Sequence, residues 1–133
     1  NQNTFDIIKK SHGQLPKLTI KLTPTEAELA KYFNNVYNST LITFANSFYE
    51  ICKSLDVDYS AIKNAMTNRK HINNQYLDCN ENFRGFGGVC LPKDTKALEH
   101  LSKKLKIENN FFETILNINE KLKITVYEGM RDE

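Results

Sequence analysis

The sequence predicts an all-α domain built around one long central helix, preceded by a short remnant (a helix end plus one strand) of an α/β domain. Three observations predict it. An apolar repeat with steps of mostly three or four runs from Leu29 to Leu55. Further capped helical patterns follow it. One alternating segment, Lys17–Leu22, precedes it with no second strand to pair with. The 133 residues are 40% hydrophobic and 26% charged, which fits one soluble domain with its own core. No apolar stretch could span a membrane, and Asn1–Lys10 lacks the apolar run of a signal peptide. A net charge of +2 is too balanced to point to a partner, so neither nucleic acid nor membrane is expected.

Phe5–Lys10 reads as the end of a helix, stopped by the turn formers Ser11-His12-Gly13. Lys17–Leu22 alternates polar and apolar residues as a half-buried strand does. A lone strand leaves its backbone groups unpaired, so its sheet is expected outside this chain. Residues 1–22 are thus expected to close a preceding domain, and residues 23–133 to form the central helical one. Thr23-Pro24-Thr25-Glu26 is a helix start: Thr23 caps, Pro24 suits the first position, and Glu26 completes a capping box. The helix then carries Leu29, Phe33, Val36, Tyr37, Phe44, Phe48, Ile51 and Leu55 on an apolar side. Opposite them Lys31, Asn35, Asn38 and Asn46 lie near one line. Asp58 is placed to cap a helix over Tyr59–Thr67. Asn68–Val89 is polar and long for a structureless loop, the kind that tends to be functional. A helix is expected from near Pro92, and a last one from Asn110, with Glu113 three positions on, through Val126 towards Gly129.

The chemistry concentrates at one point. Three of the five glycines (Gly85, Gly87, Gly88) fall just before Cys90, where they allow close approach of a ligand to the backbone. Pro92 puts Cys90 at or near a helix N-terminus, where free amides favour a thiolate. Lys93 and Asp94 can return to its side, completing a kit for covalent thiol chemistry. The other two cysteines read differently: Cys52 as core packing, and Cys79 as an exposed residue in a polar loop. The three thiols are 27 and 11 positions apart, with neither a disulfide framework nor zinc spacing, so no metal and a reducing, cytoplasmic compartment are expected. His12, His71 and His100 show no pairing with Cys90, which weakens a Cys–His hydrolase reading.

Gly85-Phe86-Gly87-Gly88-Val89-Cys90-Leu91-Pro92-Lys93-Asp94-Thr95 resembles the catalytic-cysteine motif of the UDP-glucose/GDP-mannose dehydrogenase family. Glu26–Asn35 resembles the start of that family's long central helix, and Asn119-Glu120-Lys121 is a weaker third match. The resemblance covers residues 23 to about 128. It implies oxidation of a nucleotide-sugar alcohol to the acid in two NAD-dependent steps, through a thiohemiacetal and a thioester. Cys90 would be the nucleophile, Lys31 and Asn35 would stabilise oxyanion character and orient water, and Asp94 would assist proton transfer. Spacing supports one part independently, since Lys31 and Asn35 are four apart and share a helix face. Phe83, Arg84, Gly85, Phe86, Gly87 and Gly88 would embrace the nucleotide-sugar substrate, and Lys93 would be a cofactor contact.

The family usually has Pro at Arg84, and often Tyr at Phe86 and Ser at Val89. Arg84 is then either a phosphate contact or solvent-facing. An Arg-Ile-Gly element, which the family contributes from the partner subunit, is represented by His71-Ile72-Asn73 with Arg69 nearby. The resemblance implies a homodimer through the long helix. It also implies a fragment inactive alone, because the family's NAD-binding domain and most of its C-terminal domain are not in this sequence. UDP-glucose 6-dehydrogenase is the leading type; GDP-mannose or a related nucleotide-sugar dehydrogenase, and a non-catalytic helical dimerisation module, are the alternatives.

Overall fold

The structure, a computed structural model, describes residues 2–15 and 18–122. It is all-α. Helices α1 (Gln2–Ser11), α2 (Pro24–Ser54), α3 (Tyr59–Thr67), α4 (Cys90–Lys104) and α5 (Phe111–Glu120) follow in order. Two compact units divide at Lys31/Tyr32.

The first unit contains α1 and the start of α2. Leu18–Leu22, expected as a strand, forms no ladder; an extended segment needs a neighbour's edge, and none is present among the described residues. Its apolar residues Leu18, Ile20 and Leu22 are exposed. The expected capping box is formed: Glu26 accepts from the Thr23 amide at 2.7 Å, and Thr23 Oγ1 accepts from the Glu26 amide at 3.3 Å.

In the second unit the ends of α2 and α4 share a device that sequence reasoning missed. Asp56 and Lys106 adopt positive φ (54° and 56°), a position usually taken by glycine. The Val57 amide then reaches the Cys52 carbonyl at 2.9 Å, and that of Ile107 reaches Ser102 at 3.0 Å. Asp58 caps α3 as expected, accepting from the Ser60 amide at 2.9 Å. At α5 the cap comes from Asn109, which accepts from the Phe111 amide, and not from an Asn110–Glu113 box. Glu113 instead pairs with Lys103 at 3.3 Å. The helix ends at Glu120; Val126 and Gly129 lie outside the described residues.

The core gathers Ala45 and Cys52 of α2, Tyr59 of α3, and Leu77 and Cys79 of the long loop. That loop, 68–89, has no helix and only one isolated bridge, Asn80 to Phe83. It is anchored by side chains: Tyr59 donates to the Leu77 carbonyl at 2.7 Å, and Lys63 pairs with Asp78. No helix among the described residues is long and apolar enough to cross a membrane.

Candidate active site

Cys90 is the first residue of α4, and its thiol is exposed. Two glycines of the preceding segment, Gly85 and Gly88, have φ of 66° and 72°, values that residues with a side chain rarely adopt. The turn they make carries the loop along a cavity of about 470 Å³. Asn35, Asn38 and Ile42 of α2 wall it on one side, Phe83 and Gly85 through Val89 on another, and Cys90 stands in the wall. Neither His71 nor His100 is among the residues that line it.

Two expected site residues meet directly. The Asn35 amide donates to Asp94 Oδ2 at 2.6 Å, joining α2 to α4 across 59 positions of sequence. Asp94 is 0% exposed, and Lys93 Nζ lies 3.4 Å from its other oxygen. A buried carboxylate is sustained by such an amide and ammonium, because desolvation otherwise disfavours its charge. Thr95 adds a second tie, with Oγ1 3.1 Å from Ser39 Oγ. Lys31, one turn before Asn35 on α2, is exposed and ends the first unit.

Two expectations need correction. Arg84 neither faces solvent nor lines the cavity: it is buried, ion-paired with Glu50, and stacked 4.7 Å from the Tyr49 ring centre. A guanidinium can be buried there because α2 presents both a carboxylate and an aromatic face. Cys79 is also buried, not exposed. Its thiol donates to Asn46 Oδ1 at 3.3 Å, and burial pushes its pKa up to about 11. Polar neighbours in sequence concealed this, since the loop turns Leu77 and Cys79 inward and leaves Asp78 and Asn80 out.

Two asparagines escaped functional assignment. Asn46, expected only as part of the polar line of α2, is 1% exposed and accepts from Arg84 Nε at 2.8 Å and the Gly85 amide at 3.2 Å. Asn119 of α5 brackets Phe86, accepting from its amide at 2.7 Å and donating to its carbonyl at 2.8 Å. An asparagine on the polar line, in register with Asn35 and Asn38, was the available signal for Asn46. Asn119 carried none beyond its weak motif match.

The unit thus presents an exposed cysteine at a helix N-terminus, an amide–carboxylate pair between α2 and α4, and a glycine-shaped cavity, the parts from which covalent thiol sites are built. Residues 25–121 match the UDP-glucose/GDP-mannose dehydrogenase family, central domain, and the chain belongs to that family. It is 30% identical to the Bacillus subtilis UDP-glucose 6-dehydrogenase TuaD over 93% of this chain and 26% of that protein. It is 29% identical to GDP-mannose 6-dehydrogenase of Pseudomonas aeruginosa over 90% of this chain and 27% of that protein. In structure it is similar to a UDP-glucose dehydrogenase from the archaeon Pyrobaculum islandicum, with a TM-score of 0.82 and 30% identity over 90% of this chain and 27% of that one. The chain thus spans about a quarter of the length of these relatives.

Proposed function

We propose that this chain is the central, cysteine-bearing part of a nucleotide-sugar dehydrogenase, of the kind that converts a sugar C6 alcohol to the uronic acid. The observation that carries the reading is Cys90 at the N-terminus of α4 in the wall of a cavity shared with Asn35, itself bonded to Asp94. The two-electron acceptor in this reading is NAD. No strand among the described residues leads through a glycine turn into a helix, the pattern that cradles a dinucleotide, so this chain would offer NAD side-chain contacts and not its main binding site. What the chain supplies is thiol, amide and carboxylate chemistry.

In this scheme the Cys90 thiolate adds to the aldehyde carbon of the half-oxidised sugar. The new C–S bond pushes the carbonyl electron pair onto oxygen, where the Asn35 amide and the Lys31 ammonium stabilise the negative charge. After oxidation to the thioester, water bonds to the acyl carbon, the C–S bond breaks, and its electron pair returns to sulfur. Asn35 orients that water; Asp94, buried behind it, sets the amide's direction and assists the transfer of the water's proton to solvent. Phe83 and Gly85–Gly88 embrace the sugar and its phosphates in this reading, and Lys93, on the exposed side of Asp94, is the cofactor contact. Arg84 acts from behind the loop.

Three parts of the reading concern the wider protein. Residues 1–22 are the last piece of an NAD-binding domain, which exposed Leu18, Ile20 and Leu22 support. The protein is a homodimer through α2, which the exposed Phe33, Tyr37, Phe44 and Ile51 support. Three free thiols fit the reducing cytoplasm.

UDP-glucose is the leading substrate and GDP-mannose the runner-up. Alkylation of the chain with iodoacetamide, with and without each nucleotide sugar at millimolar concentration, tests the reading. Selective protection of Cys90 by UDP-glucose is expected. Alkylation unchanged by either sugar favours a non-catalytic dimerisation module, a second reading that the exposed apolar stripe of α2 supports.

A further inference from the structure

We propose that Asn46 and Asn119 are positioning residues: two side-chain amides, from α2 and α5, that fix the backbone at Gly85 and Phe86 and so hold the segment leading into Cys90. The service to Cys90 rests on the function proposed above; the clamp is a property of this chain alone.

The loop has no helix or ladder at these residues, so its backbone groups need other partners. Asn46 supplies one. Its Nδ2 donates to the Ile42 carbonyl at 2.9 Å, which fixes which end of the amide is oxygen. Oδ1 then meets three donors: Arg84 Nε, the Gly85 amide and the Cys79 thiol. Flipping the amide would set its NH₂ against all three. Asn119 supplies two more contacts, offering an acceptor to the Phe86 amide and a donor to the Phe86 carbonyl, as a neighbouring strand would.

Gly85 completes the clamp. A Cβ there would stand 2.7 Å from Asn119 Oδ1 and 3.3 Å from Leu122 Cβ. Gly85 therefore lacks a side chain for the sake of Asn119, in addition to its positive φ, whereas the sequence suggested that it makes room for ligand. Phe86, clamped on both backbone groups, is also buried. Three polar contacts and one steric requirement thus meet within two residues of loop, four to five positions before the thiol.

Asn119→Asp is nearly isosteric and removes only the donor. At neutral pH its carboxylate faces the Phe86 carbonyl, oxygen against oxygen. Once protonated, the same carboxyl again offers one donor and one acceptor. The test is amide hydrogen exchange by NMR on the 133-residue chain, corrected for intrinsic rates. In the wild type the Gly85 and Phe86 amides should exchange at least about a hundredfold slower than unstructured amides. Asn119→Asp should speed Phe86 about tenfold or more at pH 7 while the amides of α2 keep their protection. Protection at Phe86 should return as the pH falls towards about 4, in the range where carboxylates take up a proton.

An unprotected Phe86 amide in the wild type overturns the proposal, whether or not the variant folds. So does a variant that leaves Phe86 unchanged, loosens α2 equally, or shows no recovery on acidification. Failure of nucleotide sugars to protect Cys90 would count against the proposed function and leave the clamp standing; rapid exchange at Phe86 in a chain whose Cys90 is protected would do the reverse.

Discussion

The two faces of α2 depart from the usual amphipathic division: the buried one mixes Val36, Ala45 and Cys52 with polar side chains, and several large apolar residues stand exposed on the other. One face buries Asn38, Ser39, Thr43 and Asn46; the other exposes Phe33 at 74%, Phe44 at 59% and Ile51 at 54%. On the buried face, side chains also satisfy their own helix, with Ser39 donating to the Asn35 carbonyl at 3.1 Å and Thr43 to that of Ser39 at 2.8 Å. Asn35 and Asn46 reach further, to α4 and to the glycine loop. The comparison teaches that this helix buries polar side chains beside the cavity and leaves large apolar ones exposed.

The comparison can be broken most severely at Asn46. Asn46→Ala should cost about 3 kcal/mol in urea unfolding, because it leaves Arg84 Nε, the Cys79 thiol and the Gly85 amide without their shared acceptor. A loss within about 0.5 kcal/mol would mean that the polar face is no more demanding than ordinary surface.

A smaller effect comes from pH. Burial holds the Cys79 thiol at about 11 and the Tyr59 phenol at about 12, against ordinary values of 9.0 and 10.0. Above about pH 9 the unfolded chain releases these protons while the folded chain keeps them, so the unfolded state gains. Stability should be flat with respect to these groups below about pH 9 and fall between about 9 and 12, by up to roughly 2 kcal/mol for each. Urea midpoints at pH 8 and pH 11 measure the loss, and Cys79→Ala should remove the part between about 9 and 11.

Caps give less again. Asp58→Ala should lower stability by about 1 kcal/mol, read from the same urea curves, by leaving the Ser60 amide without its acceptor.

The smallest effect on the folded monomer is expected on the apolar face. Phe33→Ser with Phe44→Ser should change its unfolding free energy by about 0.5 kcal/mol or less, yet shift sedimentation from dimer to monomer. Two serines that destabilise the monomer heavily would place that face in the core.

Much of this architecture was legible in the sequence. The capping box at Thr23, the Asp58 cap and the position of Cys90 follow from local chemistry that acts within one helical turn. Asn35 and Asp94 were each singled out by matching the motif, but their pairing shows only once distant residues have folded together. The face of α2 that turns inward was not legible, because a hydrophobic stripe reports only that some apolar partner exists. Cys79 and Arg84 were misplaced for a related reason: their partners Asn46, Glu50 and Tyr49 lie on a helix more than twenty positions away. The left-handed ends at Asp56 and Lys106 carry no glycine to announce them.

Whether Cys90 is the reacting thiol is tested most directly by grafting residues 24–122 into the Bacillus subtilis relative, in place of the segment they match, and following NAD reduction and acid formation with UDP-glucose. The expected result is a hybrid that forms the acid, and no detectable acid once Cys90→Ser is introduced. Undiminished acid formation by the Cys90→Ser hybrid would contradict it.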